Sequence, residues 1–349
     1  MGDQIRVAVV GASGYSGQEL LRYLLLHPQV DLVCVTSRQY AGQGLGEVFP
    51  RFRGVSPASR LPFSEAEVGA VVASGARFVF LALPHGLAAE FAVPLLDAGL
   101  RVIDLSADFR LRDAGVYAEF YGVAHPAPGL LGRAVYGLPE VYADAIAAAE
   151  LVASPGCYPT SIILPLLPLL RGGLIDATTI AVASMSGVSG AGRSASVPLL
   201  FAECEGSVRA YGLPRHRHLS EIEQELGAAR GGPVMITFTP HLVPIGAGIC
   251  TTTVASLDGG GDAGTVSACL EEAYGAEPLV RLLGVGGCPD TKNVRGTAFI
   301  DIGFVVDERT GRLVLLSAED NLGKGASAQA IQSLNLMAGL PPTTGLVVF

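Results

Sequence analysis

Charge is scarce in this chain. Charged residues fill 16% of 349 positions against 50% for apolar ones, and the formal net charge is −9. Nucleic-acid binding rests on clustered Lys and Arg that neutralise phosphates, so that class of partner is excluded as the expectation. A small anionic substrate would need a local arginine cluster. Long apolar runs are also missing, because Pro, Gly or charge breaks each one well before the roughly 18 residues that suggest a membrane span. Met1 to Arg6 lacks the basic-then-apolar order of a signal peptide, and the expected location is the cytoplasm. The six cysteines include no CxxC pair, which argues for reduced thiols against a disulfide framework or zinc site. No metal is expected.

Punctuation, by contrast, is plentiful. The 45 glycines and 22 prolines are spread between apolar runs, which is the loop chemistry of an α/β protein. The length exceeds what one hydrophobic core usually fills, so two domains are expected. The predicted division is 1–155 with 320–349 as a nucleotide-binding domain, and 156–319 as a catalytic and oligomerisation domain.

Residues Ile5 to Val10 form a β-branched apolar run, followed by GASGYSG and then by QELLRYLLLHP with helical spacing. Strand, glycine turn and helix is the order a dinucleotide site requires. Gly11, Gly14 and Gly17 let the backbone approach a pyrophosphate, which would rest near Ser13 on the N–H groups of a helix starting at Tyr15 or Ser16. The spacing is GxxGxxG, a weak motif without its frame. The next strand, Val30 to Val35, ends in Thr36-Ser37-Arg38, where an NAD site usually carries a carboxylate. Ser37 and Arg38 suit a 2′-phosphate instead, so NADP is favoured. Strands at Phe78 to Leu83 and Arg101 to Leu105 bring Leu83, Pro84 and Ser106 to the same carboxyl edge. His85 reads as a loop histidine.

Cys157 alone among the cysteines stands where a nucleophile would be built. In LVASPGCYPTSIILPLL an apolar strand and a Pro-Gly turn precede it and a helix-length run follows. A helix N-terminus favours thiolate over thiol; the alternative is a buried structural cysteine. The richest source of a proton-transfer partner is Arg215-His216-Arg217-His218, since histidine titrates near neutral pH. Ser220 and Glu223 match a capping box, which predicts that both histidines precede the helix. The loop SGVSGAGR, from Ser186 to Arg193, combines N–H groups, hydroxyls and a guanidinium suited to phosphate or carboxylate. His27, His125 and His241 read as structural. Strands are predicted at Thr179 to Ala183, Val234 to Thr239, Gly248 to Ala255, Thr297 to Val306 and Arg312 to Leu316, forming a mixed or antiparallel second sheet. Asn321 to Met337 reads as a glycine-interrupted helix.

These strings in order resemble the N-acetyl-γ-glutamyl-phosphate reductase family: GASGYSG, LPHG, DLSADFRL, YGLPE, ASPGCYPTS, SGVSGAGR, HRH-SEIEQEL, FTPHLVP and DNLGKGASAQAIQSLNLM. The resemblance implies an α/β Rossmann-type NADP(H) domain joined to an α+β domain of the aspartate-semialdehyde dehydrogenase kind. It also implies Cys157 as nucleophile and His216 as acid/base, with His218 close enough to compete. Asn321 would lie near the nicotinamide; Arg110, Ser186 and Arg193 would serve an anionic acyl-phosphate substrate. A dimer or tetramer is implied. Two departures stand out: HLVPIGAGI puts Gly246 and Ala247 where the family usually has a methionine and then an arginine, and Pro165 and Pro168 are expected to shorten or kink the Cys157 helix. The implied reaction is NADPH-dependent reductive dephosphorylation of N-acetyl-γ-glutamyl phosphate. Competing readings are a sister reductase for an aminoadipyl phosphate of lysine biosynthesis, a non-redox cysteine hydrolase or acyltransferase, and a non-catalytic NADP-binding regulator.

Overall fold

The computed structural model describes residues 4–346; the reading of Met1 to Arg6 therefore falls partly outside the described residues. The chain divides into two compact units, 1–155 with 326–349, and 156–325. The second crossing falls between Gly325 and Ala326, later than the predicted 319/320. Asp320 accounts for the difference: its carboxylate accepts the N–H groups of Leu322, Gly323 and Gly296, tying that turn to the second unit.

The first unit carries a sheet of seven parallel strands. These are β1 (Ile5–Val10), β2 (Val30–Thr36), β3 (Phe63–Ser64), β4 (Phe78–Leu81), β5 (Arg101–Asp104), β6 (Ala134–Tyr136) and β7 (Leu151–Ala153), in the order β3-β2-β1-β4-β5-β7-β6. The central strands are buried along most of their length, as expected when helices cover both faces of a parallel sheet. The returning helix, Ala328–Met337, belongs to this unit. Ser327 Oγ donates to the Ser16 carbonyl at 2.8 Å, Arg101 donates to the Met337 carbonyl, and His27 bonds Asn335 at 2.9 Å. The predicted glycine-interrupted helix is thus a π-helical turn at Gly323–Ser327 followed by a regular helix.

The second unit is a mixed sheet of seven strands: β8 (Ala181–Gly187), β9 (Arg209–Ala210), β10 (Thr237–Val243), β11 (Ile249–Ser256), β12 (Val280–Val285), β13 (Ile300–Asp307) and β14 (Arg312–Glu319). The order is β12-β13-β14-β11-β8-β10-β9. The pairs β10/β8 and β12/β13 are parallel and the others antiparallel. Strict alternation of burial along β11 leaves one face for the helices. The predicted strands at Thr179 and Val234 begin two and three residues later than read; β9 is two residues long and gives no period, and the apolar run VRLLGV of β12 was not among the predicted strands.

The helix Cys157–Arg171 lies against β11 and β14 and runs unbroken through Pro165 and Pro168, contrary to the expected shortening. A proline removes the N–H that would bond the carbonyl four residues earlier. The two carbonyls concerned are those of Ser161 and Leu164. Ser317 Oγ donates to the first at 2.7 Å and the Tyr274 hydroxyl to the second at 2.8 Å. A buried unpaired carbonyl would cost about 1–3 kcal/mol, and both are satisfied from neighbouring elements.

Candidate active site

In the first unit, β1 leads through GASGYSG into the helix Tyr15–Leu26. Gly11 has φ +81°, and a Cβ there would meet the Ala82 carbonyl oxygen at 2.6 Å and Leu83 at 2.8 Å. At Gly17 a Cβ would strike the Ala12 backbone at 2.7 Å, so this glycine serves helix-to-turn packing. Gly14 is different: it is the N-cap, no side chain caps the helix, and a Cβ there would meet nothing within 4 Å. Open space over an uncapped N-terminus fits a pyrophosphate. Ser13 and Ser37 are joined hydroxyl to hydroxyl at 3.3 Å, and the Gly11 N–H reaches Thr36 Oγ1 at 3.4 Å, which sets the end of β2 beside the turn. Arg38 follows there, exposed. Tyr15 and Ser16 open the helix. Leu83 and Pro84 follow β4. Ser106 follows β5, with its hydroxyl donating to Asp104 at 2.8 Å.

Beneath this edge Asp108 accepts the N–H groups of Gly86, Ala88 and Ala89. It thereby caps the helix Ala88–Asp97 after LPHG. Arg110 is buried, and its guanidinium donates to the carbonyls of Ser154 at 2.7 Å and Leu105 at 3.0 Å. These bonds fix the backbone three residues before Cys157 in the chain. His125 bonds the Asp108 carbonyl at 2.5 Å.

In the second unit Cys157 is the first residue of its helix, with Gly156 as N-cap and no side-chain cap. The Gly156 N–H donates to Glu221 Oε2 at 3.1 Å. His218 lies against the same glycine: a Cβ on Gly156 would sit 2.5 Å from His218 Nε2. That imidazole nitrogen is 4.0 Å from Glu221 Oε1. Gly325 performs the matching service on another side, where a Cβ would meet Cys157 Cβ at 3.0 Å and Glu319 Oε1 at 2.8 Å. Two glycines thus let an imidazole and a backbone turn close on the start of the Cys157 helix.

His216 stands edge-on to Tyr158, Tyr211 and Phe238, with ring centroids 5.5, 5.6 and 5.6 Å away, and 4.9 Å from His218. Its Nδ1 accepts the His218 backbone N–H at 3.2 Å. Burial, with the Arg217 charge second, pushes its pKa down to about 4. It is therefore neutral at pH 7 and carries its proton on Nε2. The helix itself begins at His218, with Arg217 as N-cap, which corrects the predicted capping box. Ser220 Oγ donates to the Arg217 carbonyl and Glu223 accepts the Ile236 N–H, so neither caps the helix. The informative spacing was His218 to Glu221, an i,i+3 pair on one face. Tyr158 and Tyr211, joined hydroxyl to hydroxyl at 2.9 Å, had no local signal in the sequence.

The loop after β8 is zippered to the loop after β10: the N–H groups of Gly187, Val188 and Ser189 donate to the carbonyls of Gly248, Ile245 and Gly246. Asn321 bridges both loops, accepting the Gly248 N–H at 2.7 Å and donating to Ser189 Oγ at 3.0 Å. Ser186 is buried at the end of β8 and Arg193 is exposed. At Gly246 a Cβ would lie 3.8 Å from the Arg295 guanidinium. So a different arginine stands near the position where the family arginine is absent. Cys157, His216, His218, Ser186 and Asn321 share one unit, and the glycine turn, Ser37, Arg38, Leu83, Pro84 and Ser106 share the other. Among the described residues, no group of three or more His, Cys, Asp or Glu side chains could hold a metal ion.

Fold and site together define a nucleotide-binding protein with a thiol on a second, mixed-sheet unit. Comparison with known families agrees. The domain described as semialdehyde dehydrogenase, NAD binding domain, matches residues 6–149, and the semialdehyde dehydrogenase dimerisation domain matches 157–321. N-acetyl-gamma-glutamyl-phosphate reductase of Akkermansia muciniphila is 59% identical over 99% of both chains. The Moorella thermoacetica protein of that name is 48% identical over 99% of this chain and 98% of its own. Among solved structures, aspartate semialdehyde dehydrogenase II from Vibrio cholerae aligns with TM-score 0.73 at 19% identity, covering 96% of this chain and 99% of that one. The chain belongs to the N-acetyl-gamma-glutamyl-phosphate reductase family.

Proposed function

We propose that the protein reduces N-acetyl-γ-glutamyl phosphate to N-acetylglutamate 5-semialdehyde and phosphate, with Cys157 as the covalent nucleophile. The observation that carries this reading is the thiol at an uncapped helix N-terminus, with the His218 imidazole packed on the preceding glycine. The thiolate attacks the acyl carbon, the carbon–oxygen bond to phosphate breaks, and a thioester remains on Cys157. NADPH, when bound, supplies the hydride that reduces the thioester carbon. The resulting thiohemiacetal collapses, returning the electron pair to sulfur and releasing the aldehyde. The helix N-terminus favours the thiolate at the start and the end of that cycle.

Glu221 bonds the Gly156 N–H and lies beside His218, so it holds the imidazole and the helix start in one arrangement. His218, packed on Gly156 with Glu221 beside it, is the imidazole placed to take the thiol proton, and the half-buried, neutral His216 packs against it. Arg110 donates to the Ser154 and Leu105 carbonyls, which suits a positioning role for the Ser154-Pro155-Gly156 turn. Arg193 and Arg295 border the zippered loops and would receive the substrate's anionic groups. The glycine turn with Ser37 and Arg38 would hold NADP(H).

The protein is expected in the cytoplasm as a dimer or tetramer. The match of residues 157–321 to a dimerisation domain supports self-association; no helix among the described residues is long and apolar enough to cross a membrane. The aminoadipyl reading is not favoured, because relatives at 48–59% identity over nearly full length carry the glutamyl name. The test is phosphate-dependent reduction of NADP⁺ with N-acetylglutamate semialdehyde, beside the aminoadipate homologue and a Cys157→Ser control. Activity on the glutamate compound, lost in the variant, supports the proposal. Preference for the longer aldehyde, or no reduction with either, overturns it.

A further inference from the structure

We propose that Tyr211 is a catalytic residue, the proton donor to the oxyanion that forms on the thiohemiacetal at Cys157, with Tyr158 bonded behind it. The inference deepens the proposed reaction and rests on it. Two phenols joined at 2.9 Å share one hydrogen bond, which uses one proton and one lone pair and leaves one proton to be directed elsewhere. Among the described residues the Tyr211 hydroxyl has no other hydrogen-bond partner.

Burial decides which phenol points its proton outward. Tyr158 is 2% exposed, enclosed by His216, His218 and Phe238, and it also bonds the Ser186 side chain, which lowers its pKa as a donor to the phenolic oxygen does and leaves the Tyr158 proton for Tyr211. Tyr211 is only half-buried. The consistent order is that Tyr158 donates to Tyr211 and Tyr211 donates into the open side of the site. Tyr158 follows Cys157 in the helix, and Tyr211 packs edge-on to His216, whose ring is 4.9 Å from the His218 ring that lies on Gly156; the Cys157 charge adds to the rise of both phenols. Tyr211 is pushed up to about 12 and Tyr158 higher still, burial being the largest cause for both. An alkoxide is a strong enough base to take a proton from such a phenol.

His216 is the worse donor for that step. Its Nδ1 already accepts the His218 N–H, and at neutral pH the ring holds only its Nε2 proton. A neutral imidazole N–H is a far weaker acid than a phenol. His218, on Gly156 with Glu221 beside it, is placed for the proton of the thiol itself, so the balance at the oxyanion closes on tyrosine. Hydride reaches the thioester carbon, the carbonyl π pair moves to oxygen, and that oxygen takes the Tyr211 proton. The Tyr211 phenolate is held by the Tyr158 hydroxyl until collapse. As the carbon–sulfur bond breaks and its pair leaves with sulfur, the hydroxyl proton returns to Tyr211. The phosphate expelled earlier takes its proton from solution.

The experiment compares the full chain with Tyr211→Phe and Tyr158→Phe in two assays. The first is steady-state phosphate-dependent NADP⁺ reduction with N-acetylglutamate semialdehyde. The second is the burst of phosphate released from N-acetyl-γ-glutamyl phosphate without NADPH, which reports thioester formation at Cys157 alone. Tyr211→Phe should lower kcat about 10²-fold or more, the usual scale of lost general acid–base help, with the burst rate kept. Tyr158→Phe should cost less, since the outer proton remains. A kcat within about threefold of wild type in Tyr211→Phe overturns the proposal; so does an equal loss in both assays, which marks a structural role. A wild-type chain with a phosphate burst but no NADP⁺ reduction would instead overturn the reductase reading on which it rests.

Discussion

The Ser317 hydroxyl donates to the Ser161 carbonyl at 2.7 Å, at the point in the Cys157 helix where Pro165 withholds a backbone N–H. Tyr274 does the same for Leu164 opposite Pro168, at 2.8 Å. Ser161 is further tied through its own hydroxyl to Thr251, which bonds Ser184, each at 2.8 Å. A helix that would break alone is therefore carried by hydroxyls from β8, β11, β14 and the helix Ala263–Tyr274. Ser317→Ala and Tyr274→Phe should each lower stability by about 1–3 kcal/mol, the cost of a buried carbonyl left unpaired. Denaturant midpoints measure this. Midpoints equal to wild type for both variants would show that the helix tolerates its prolines without these hydroxyls.

The proposed role of Arg38 is to decide between the two nicotinamide cofactors. It follows Ser37 at the end of β2, beside the glycine turn, and no carboxylate occupies the usual ribose position. Arg38→Ala should weaken NADPH binding about tenfold or more, the scale of one charge-assisted hydrogen bond, and leave NADH binding nearly unchanged. Fluorescence titration of both cofactors reads the ratio directly. Equal losses for the two would place the arginine outside the 2′-phosphate site.

His216 should remain neutral well below the ordinary histidine range. Burial is the main cause and the Arg217 charge adds to it. The sign of the neighbour effect is fixed: removing a positive charge must raise the imidazole pKa. NMR titration of the ring should find it neutral at about pH 5.5, and Arg217→Gln should move the midpoint upward. A wild-type midpoint near 6.5 would remove the depressed value, and with it the argument that His216 is the poorer donor to an alkoxide.

What could be read from the sequence was local. β1, the glycine turn and the helix at Tyr15 are contiguous, and each residue's role there depends on its neighbours in the chain. The same holds for Pro155-Gly156-Cys157. The prolines misled because their compensation is distant: Tyr274 is 110 residues from Leu164, and Ser317 is 156 from Ser161. Ser220 and Glu223 misled for another reason. Their spacing fits a capping box, but the Ile236 N–H competes for Glu223 and draws it away from the helix start. Tyr211 reaches Tyr158 only because β9 pairs with β10 and returns the chain to the site. Two residues in β9 give no period to detect. Arg110 sits in a motif rich in charge, which suggested substrate; only the fold reveals that it also donates to the Ser154 and Leu105 carbonyls.

Asp104 gives the first unit a pH dependence whose sign can be worked out. Its carboxyl is fully buried at the end of β5, and burial first, then the nearby Asp108 charge, pushes its pKa up to about 7. The hydrogen bonds from the Ser106 N–H at 2.9 Å and hydroxyl at 2.8 Å pull the other way and are outweighed. The folded value thus lies above the unfolded one, near 3.9, and the native state holds a proton that the unfolded chain releases. Its contribution to stability is complete below the unfolded pKa and is lost as pH rises through about 7. Asp104→Asn keeps an oxygen acceptor for Ser106 and abolishes the titration. The wild-type melting temperature should therefore fall between about pH 5 and pH 8, by an amount equivalent to ~2–4 kcal/mol, while the variant's changes less over that interval. Parallel curves for the two proteins would mean that Asp104 is ionised in both states, with its charge balanced inside the fold.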